Sequence, residues 1–171
     1  DVLRGPQGTL YGQNTEGGIV RIYTKNPMQY SGTDVKLGIG SYLWRNVEVG
    51  HYGKISDNMA FSVAGFYDGQ NGFLHNSALD SRADLMNEAG GRLRFVFTPD
   101  RRLTVSLTAD YQHVNQDAFA YGVFNPETGV TSDPSSNFLN HYRRDMFTTG
   151  VGLKYDGGNF LLNSTTSYQY L

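Results

Sequence analysis

At 171 residues the chain has the length of one ordinary domain, and its net charge of −2 leaves no basic footprint for nucleic acid. Tyrosine (12) and phenylalanine (10) are plentiful, glycine numbers 21 and proline only 5, a balance that suits strands better than a helical bundle. The chain has no cysteine, which excludes disulfides, cysteine nucleophiles and thiolate metal sites, and no run of roughly 20 apolar residues that could span a membrane as a helix.

The first segment is dense in residues that fix backbone geometry. Val2-Leu3 reads as the end of a buried strand. Gly5-Pro6 breaks it, and Pro6 opens a short helical turn because its missing N–H would be unpaired there anyway. Gly12 is expected to end that turn at positive φ, and residues 13–16 make a polar connection. Gly17-Gly18 permits close backbone approach, and the alternation from Ile19 to Thr24 predicts a strand that Lys25-Asn26-Pro27 terminates. No G-x-x-x-x-G-K-[ST] string is present, so the glycines read as a tight β-connection and not as a phosphate cradle.

From residue 33 onward, seven runs alternate apolar and polar residues with the period of two that marks strands. They begin near Thr33, Arg45, Met59, Ala89, Leu103, Met146 and Phe160. One side carries Val, Leu, Ile, Phe and Tyr. The other carries Asp34, Lys36, Glu48, Arg92, Arg94, Asp110 and Lys154. The second run is irregular: His51 falls on the apolar register and Tyr52 on the polar one, which predicts a bulge or a rim near His51. Alternation alone fits a soluble β-sandwich equally well. The connections separate the two. Those at 55–58, 99–102 and 156–159 are short, and those at 69–87 and 115–143 are long, with 41–44 breaking the rule on the long side. Short turns on one rim and long loops on the other are the habit of outer-membrane barrels. A mean hydropathy of −0.44 is no obstacle, because alternation hides a spanning strand from hydropathy. Tyr67, Phe97, Tyr111, Tyr155, Phe160 and Tyr170 fall near strand ends, where aromatic rings suit a membrane interface.

The string Val2-Leu3-Arg4-Gly5-Pro6, then Gly8, Leu10-Tyr11-Gly12, Asn14, Gly17-Gly18 and Thr24-Lys25-x-Pro27, resembles the end of the plug domain of TonB-dependent outer-membrane receptors. Gln13 stands where that family commonly has Arg or Lys, and Val20-Arg21-Ile22 where Ile-Asn-Ile is usual. The resemblance implies an all-β chain: the C-terminal part of a plug over 1–27, a linker over 28–32, and about seven strands of a partial antiparallel transmembrane β-barrel over 33–171. It opens within the motif at Asp1 and stops within an apparent strand at Leu171, which reads as truncation.

The resemblance also implies a function: energy-coupled uptake of a scarce, large solute across the outer membrane of a Gram-negative bacterium. A ferric siderophore is the leading substrate class, with cobalamin, haem, nickel complexes and oligosaccharides beside it. The implied partners are the inner-membrane TonB complex, reached through a segment before Asp1, and outer-membrane lipid. A passive porin and a soluble β-sandwich binding module are the alternatives. No enzyme is expected, since there is no G-x-S-x-G, and the four histidines (His51, His75, His113, His141) lack metal-ligand spacing. No cofactor is expected.

Candidate binding residues come from the loops and from the resemblance. Asn71, Phe73 and His75 follow one strand; Gln116, Phe119 and Tyr121 follow another. Both groups combine rings that stack with amides or imidazoles that hydrogen-bond. By resemblance, Gln13, Asn14 and Glu16 are plug contacts to the solute, and Arg4 pairs with a barrel carboxylate to tether plug to wall.

Overall fold

Strict alternation over long stretches leaves each strand with two chemically different sides, and such strands bury neither side alone. They associate edge to edge. The computed structural model describes residues 2–6, 17–20, 22–117, 121–138 and 141–171. Two short strands, β1 (Val2–Arg4) and β2 (Gly18–Val20), pair with each other. The long strands follow: β3 (Gly32–Ile39), β4 (Arg45–Ser56) and β5 (Met59–Gln70). A small hairpin, β6 (Leu74–Asn76) and β7 (Ser81–Ala83), precedes β8 (Met86–Phe97) and β9 (Leu103–Asp117). A second hairpin, β10 (Phe124–Asn125) and β11 (Val130–Thr131), precedes β12 (His141–Asp156) and β13 (Leu161–Tyr170).

Seven strands form one antiparallel sheet in the order β3-β4-β5-β8-β9-β12-β13. Each long strand therefore pairs with the long strand before it. The sandwich alternative needs two packed sheets, and these strands lie in one. The connections 57–58, 98–102 and 157–160 turn at one end, and the hairpin-bearing stretches 71–85 and 121–138 lie at the other. Asp100 shapes one of the short turns by accepting from the backbone N–H of Arg102 and Leu103 at 2.7 and 2.8 Å.

The register carries the alternation across the whole sheet. Asp34, Gly50, Ala64, Arg92, Asp110, Thr148 and Gln169 stand in one row. Gly53, Phe61, Phe95, Leu107, Val151 and Thr166 stand in a row of the opposite parity. One face is polar or small, and the other is apolar. The apolar face is bare: Leu37 is 76%, Leu93 57% and Leu107 47% exposed. Among the described residues the buried hydrophobic side chains are Ala60, Ala83, Val96 and Val114. Four small residues make no core for a sheet of this size, so the sheet's apolar face needs an apolar environment from outside the chain.

Close strand approach on the polar face depends on glycine at one place in particular. Gly90 stands opposite Phe66, and a Cβ added there would lie 2.6 Å from both the Phe66 ring and the main-chain oxygen of Tyr111. The ring covers the position that a side chain would have filled.

Three expectations need correction. Of the strand expected over Ile19 to Thr24, β2 holds Ile19 and Val20, and residues 22–24 lie in no strand, because Thr24 and Lys25 turn to side chains of the large sheet instead of a strand partner. The ladder runs unbroken through Thr33, His51 and Val63, and the register shift falls further on, between Lys54 and Ser56. His51 stays on the apolar face by bonding Thr33 Oγ1 at 2.9 Å through Nδ1 and by lying 5.7 Å from the Phe61 ring. Finally, β8 and β12 begin earlier than expected, at Met86 and His141, because polar residues at the long-loop end continue the ladder with their backbone. The helical turn expected near Pro6 to Gly12 lies outside the described residues.

Candidate functional site

The polar face carries several paired charges. Lys36 Nζ lies 2.9 Å from Glu48 Oε2, directly across from it in the ladder, and the Arg92 guanidinium pairs with Asp110 in the same way. Gln112 donates to Glu88 across a diagonal. Trp44 Nε1 and Asn46 Nδ2 both donate to Asp68, at 3.3 and 3.0 Å. An open hollow of about 1100 Å³ lies against this face, and its polar lining includes Asp34, Lys36, Glu48, Tyr52, Arg92 and Asp110. Arg144 stands on the same face near its long-loop end, with its Nε buried and without a hydrogen-bond partner.

Residues 24–30 reach this wall from the N-terminal segment. Lys25 Nζ donates to Asp34 Oδ2 at 2.5 Å, and Tyr30 Oη donates to Asp34 Oδ1 at 3.1 Å. The Lys25 ammonium also lies 4.1 Å from the Tyr30 ring centre and 5.5 Å from that of Tyr52. The hydrogen bond to Asp34 holds the ammonium above the ordinary lysine range. A raised lysine contributes fully below its ordinary pKa and is lost only when the pH climbs past the raised one, so this contact keeps its lysine charge at neutral and mildly alkaline pH.

At the opposite end from the short turns, the loops are joined to one another. Asn76 is 3% exposed. Its Nδ2 donates to the Ser136 carbonyl at 2.9 Å, and its Oδ1 accepts from the N–H groups of Ser136 and Ala78, each at 3.1 Å. Ser77 N–H donates to the Pro134 carbonyl at 3.0 Å. Loop 71–85 is thus fastened to residues 121–138. The short connection 40–44 joins as well: Asn71 N–H donates to the Tyr42 carbonyl at 3.0 Å, the Tyr42 and Phe73 rings lie 5.9 Å apart, and the Arg82 guanidinium lies 5.7 Å from the Tyr42 ring. Tyr42, Leu43, Asp80 and Asp84 are the non-glycine residues at positive φ among those described, and all four lie in these loops. Such backbone persists only where the surroundings over-determine it. Asp84 shows how: its carboxylate accepts from the N–H groups of Phe73 and Leu74 at 3.0 and 2.9 Å.

The residues singled out from sequence fall as follows. Asn71, Phe73 and His75 share one loop, with Phe73 56% exposed and His75 Nε2 3.4 Å from Asp80. Gln116 is not in a loop. It lies within β9, opposite Met86 and Tyr142, on the polar face. Tyr121 is 82% exposed. Gln13, Asn14, Glu16 and Phe119 lie outside the described residues. Arg4 is exposed in β1 and has no carboxylate partner among the described residues. Sequence reasoning missed the Lys25–Asp34–Tyr30 cluster, the Asn76–Ser136 lock and Arg144. Alternation placed Asp34 on the polar face and could have placed Arg144 there, but nothing local signals a bond across 60 residues. Among the described residues no group of His, Asp or Glu has a geometry that would hold a metal ion.

No known protein-family profile matches the sequence. Solved structures do. The ferric yersiniabactin uptake receptor FyuA from Yersinia pestis matches 98% of the chain with a TM-score of 0.83 at 24% identity. FpvAI, in its complex with pyocin S2, matches 98% with a TM-score of 0.77 at 18% identity. The chain folds as part of a TonB-dependent receptor does. It spans 27% and 23% of the length of those two chains.

Proposed function

We propose that residues 33–171 are the first seven strands of a plugged outer-membrane barrel, that 1–27 are the C-terminal end of its plug, and that 28–32 link the two. The whole receptor takes up a scarce, large solute, with a ferric siderophore as the leading class, driven by the inner-membrane TonB complex. The observation that carries this reading is the sheet's two-sided chemistry. A bare apolar face suits lipid, and a charge-paired polar face suits a lumen against which the N-terminal segment is fastened. The likeness to an uptake receptor for a ferric siderophore supports the substrate class.

The test is uptake of radiolabelled ferric siderophores by cells carrying the full-length receptor as their sole candidate importer. Uptake is expected to stop when a protonophore collapses the inner-membrane gradient. A large solute flux that persists without that gradient would point to an open porin instead. On the same reading Gln13, Asn14 and Glu16 contact the solute from the plug, and Asn71, Phe73, His75, Gln116, Phe119 and Tyr121 contact it from the barrel and its loops. Arg4 tethers plug to wall through a carboxylate elsewhere in the barrel, since a charge facing a lumen must pair or stay wet. Arg4→Met is expected to admit small antibiotics that the wild-type receptor excludes; unchanged antibiotic sensitivity would remove the tether.

A further inference from the structure

The apolar side of the sheet ends differently at its two ends. At the short turns it finishes with Leu103, Tyr155 and Leu162 in one rung, and none of them is charged. Toward the long loops, its last uncharged rung holds Val49, Tyr111 and Phe147. The next rung sets Asp145 opposite His113, the one after it carries Arg45 and Arg143, and a further one sets His141 opposite Asp117. The acids of this rim are already satisfied. Asp145 Oδ1 accepts from Tyr111 Oη at 2.6 Å and lies 2.7 Å from His113 Nδ1. Asp117 Oδ2 accepts from Leu85 N–H at 3.0 Å, and its Oδ1 lies 3.2 Å from His141 Nδ1. The arginines are not satisfied. Both are exposed, and among the described residues neither has a carboxylate within ion-pair distance. Arg45 has the Tyr67 ring 6.0 Å away. Arg143 stands two residues from Asp145 on the same side, yet an imidazole and a phenol hold that carboxylate.

We propose that Arg143 and Arg45 each bind the phosphate of an anionic lipid at the long-loop end of the membrane. Four strand spacings of about 4.8 Å separate the two arginines, roughly 19 Å in all, so each takes a lipid of its own. A guanidinium offers paired N–H donors that match phosphate oxygens, and its long apolar stem lies along an apolar surface while the charged head stays in the interface. The rungs beneath, with Val49, Tyr111 and Phe147, give the acyl chains their contact. Charge complementarity selects the headgroup. A zwitterionic lipid brings its own ammonium to its phosphate, whereas an anionic one leaves that phosphate to the protein. The inference rests on the barrel reading, since it needs hydrocarbon against the apolar side.

The full-length receptor, purified in a neutral detergent, is given equal amounts of phosphatidylglycerol and phosphatidylcholine, and the lipids it retains are counted by native mass spectrometry. Wild type is expected to retain phosphatidylglycerol several-fold over phosphatidylcholine. Arg143→Gln and Arg45→Gln are each expected to lower the number of phosphatidylglycerol molecules held, the double variant more than either, and Arg143→Lys to keep part of the loss from appearing. Arg101→Gln, in an exposed short turn at the other end, is expected to match wild type. Millimolar inorganic phosphate is expected to leave the lipid in place. A double variant that holds as much phosphatidylglycerol as wild type would overturn the proposal. So would an equal loss in Arg101→Gln, which would mean that any surface charge serves, or displacement by inorganic phosphate, which would make this a free-anion site. The heat-modifiable gel shift is recorded on the same samples. A wild type that shows no shift and retains neither lipid removes the barrel reading itself; a shifted band without the phosphatidylglycerol preference removes only the headgroup sites.

Discussion

On the proposed barrel reading, replacing Leu107 by arginine is expected to destabilise the folded receptor in lipid by about 1–3 kcal/mol, between the midplane and the interfacial cost of a cation on the lipid side of a barrel. Leu107 stands in the apolar row with Phe61, Phe95 and Val151, toward the short-turn end of the sheet, and is 47% exposed within the chain. Ser106, its neighbour, points to the opposite face, in the row of Val96 and Gly152. Ser106→Arg places the same charge on the polar side and is expected to cost less than Leu107→Arg. Denaturant unfolding of both variants in vesicles, followed by the gel shift of heat-modifiable barrels, measures the difference. The contrast between adjacent positions is the informative quantity. Equal and small effects would mean that the apolar face does not meet hydrocarbon.

The second large effect is expected at Asn76. Its side chain satisfies the N–H and the carbonyl of Ser136 together with the N–H of Ala78. Asn76→Ala removes all three bonds at a position 3% exposed, and each buried group left without a partner costs about 1–3 kcal/mol. The cost falls on the loops and not on the ladder, because the strands keep their own backbone bonds. Loops 71–85 and 121–138 are expected to separate and become sensitive to external protease in intact cells, while the barrel stays heat-modifiable. Asn76→Asp is a gentler probe: it keeps the acceptor and loses the donor to Ser136. If Asn76→Ala is cleaved no faster than wild type, the loops are held together elsewhere.

The fold was legible where physics acts at short range. Period two along β3, β5 and β9 was enough to assign each residue to a face, and the charged residues expected on the polar side all stand there. The sorting of short turns and long loops was legible too, because turn residues such as Asp100 act on their nearest neighbours. Strand ends at the long-loop rim were not. Gln116 looked like a loop residue because Asn, Gln and Asp carry little strand preference, yet its backbone continues a ladder already nucleated below it. The candidate site was the least legible part. Lys25 looked like a strand terminator, and its true partner, Asp34, was visible only as one of several wall charges. Asn76 gave no local sign of a partner 60 residues on. Nothing local in the sequence signals that Phe66, an aromatic on the polar register, is matched by Gly90 opposite it.

The strict alternation of the strands has a consequence for how such a protein diversifies. On the proposed barrel reading, neighbouring codons along β8 or β9 answer to different selective pressures, one set by the membrane and the other by whatever the wall must hold. A lineage can therefore exchange Arg92, Asp110 or Gln112 to suit a new cargo while Leu93, Ala109 and Tyr111 stay as they are. Divergence should accumulate on every second residue, which would let shape outlast sequence.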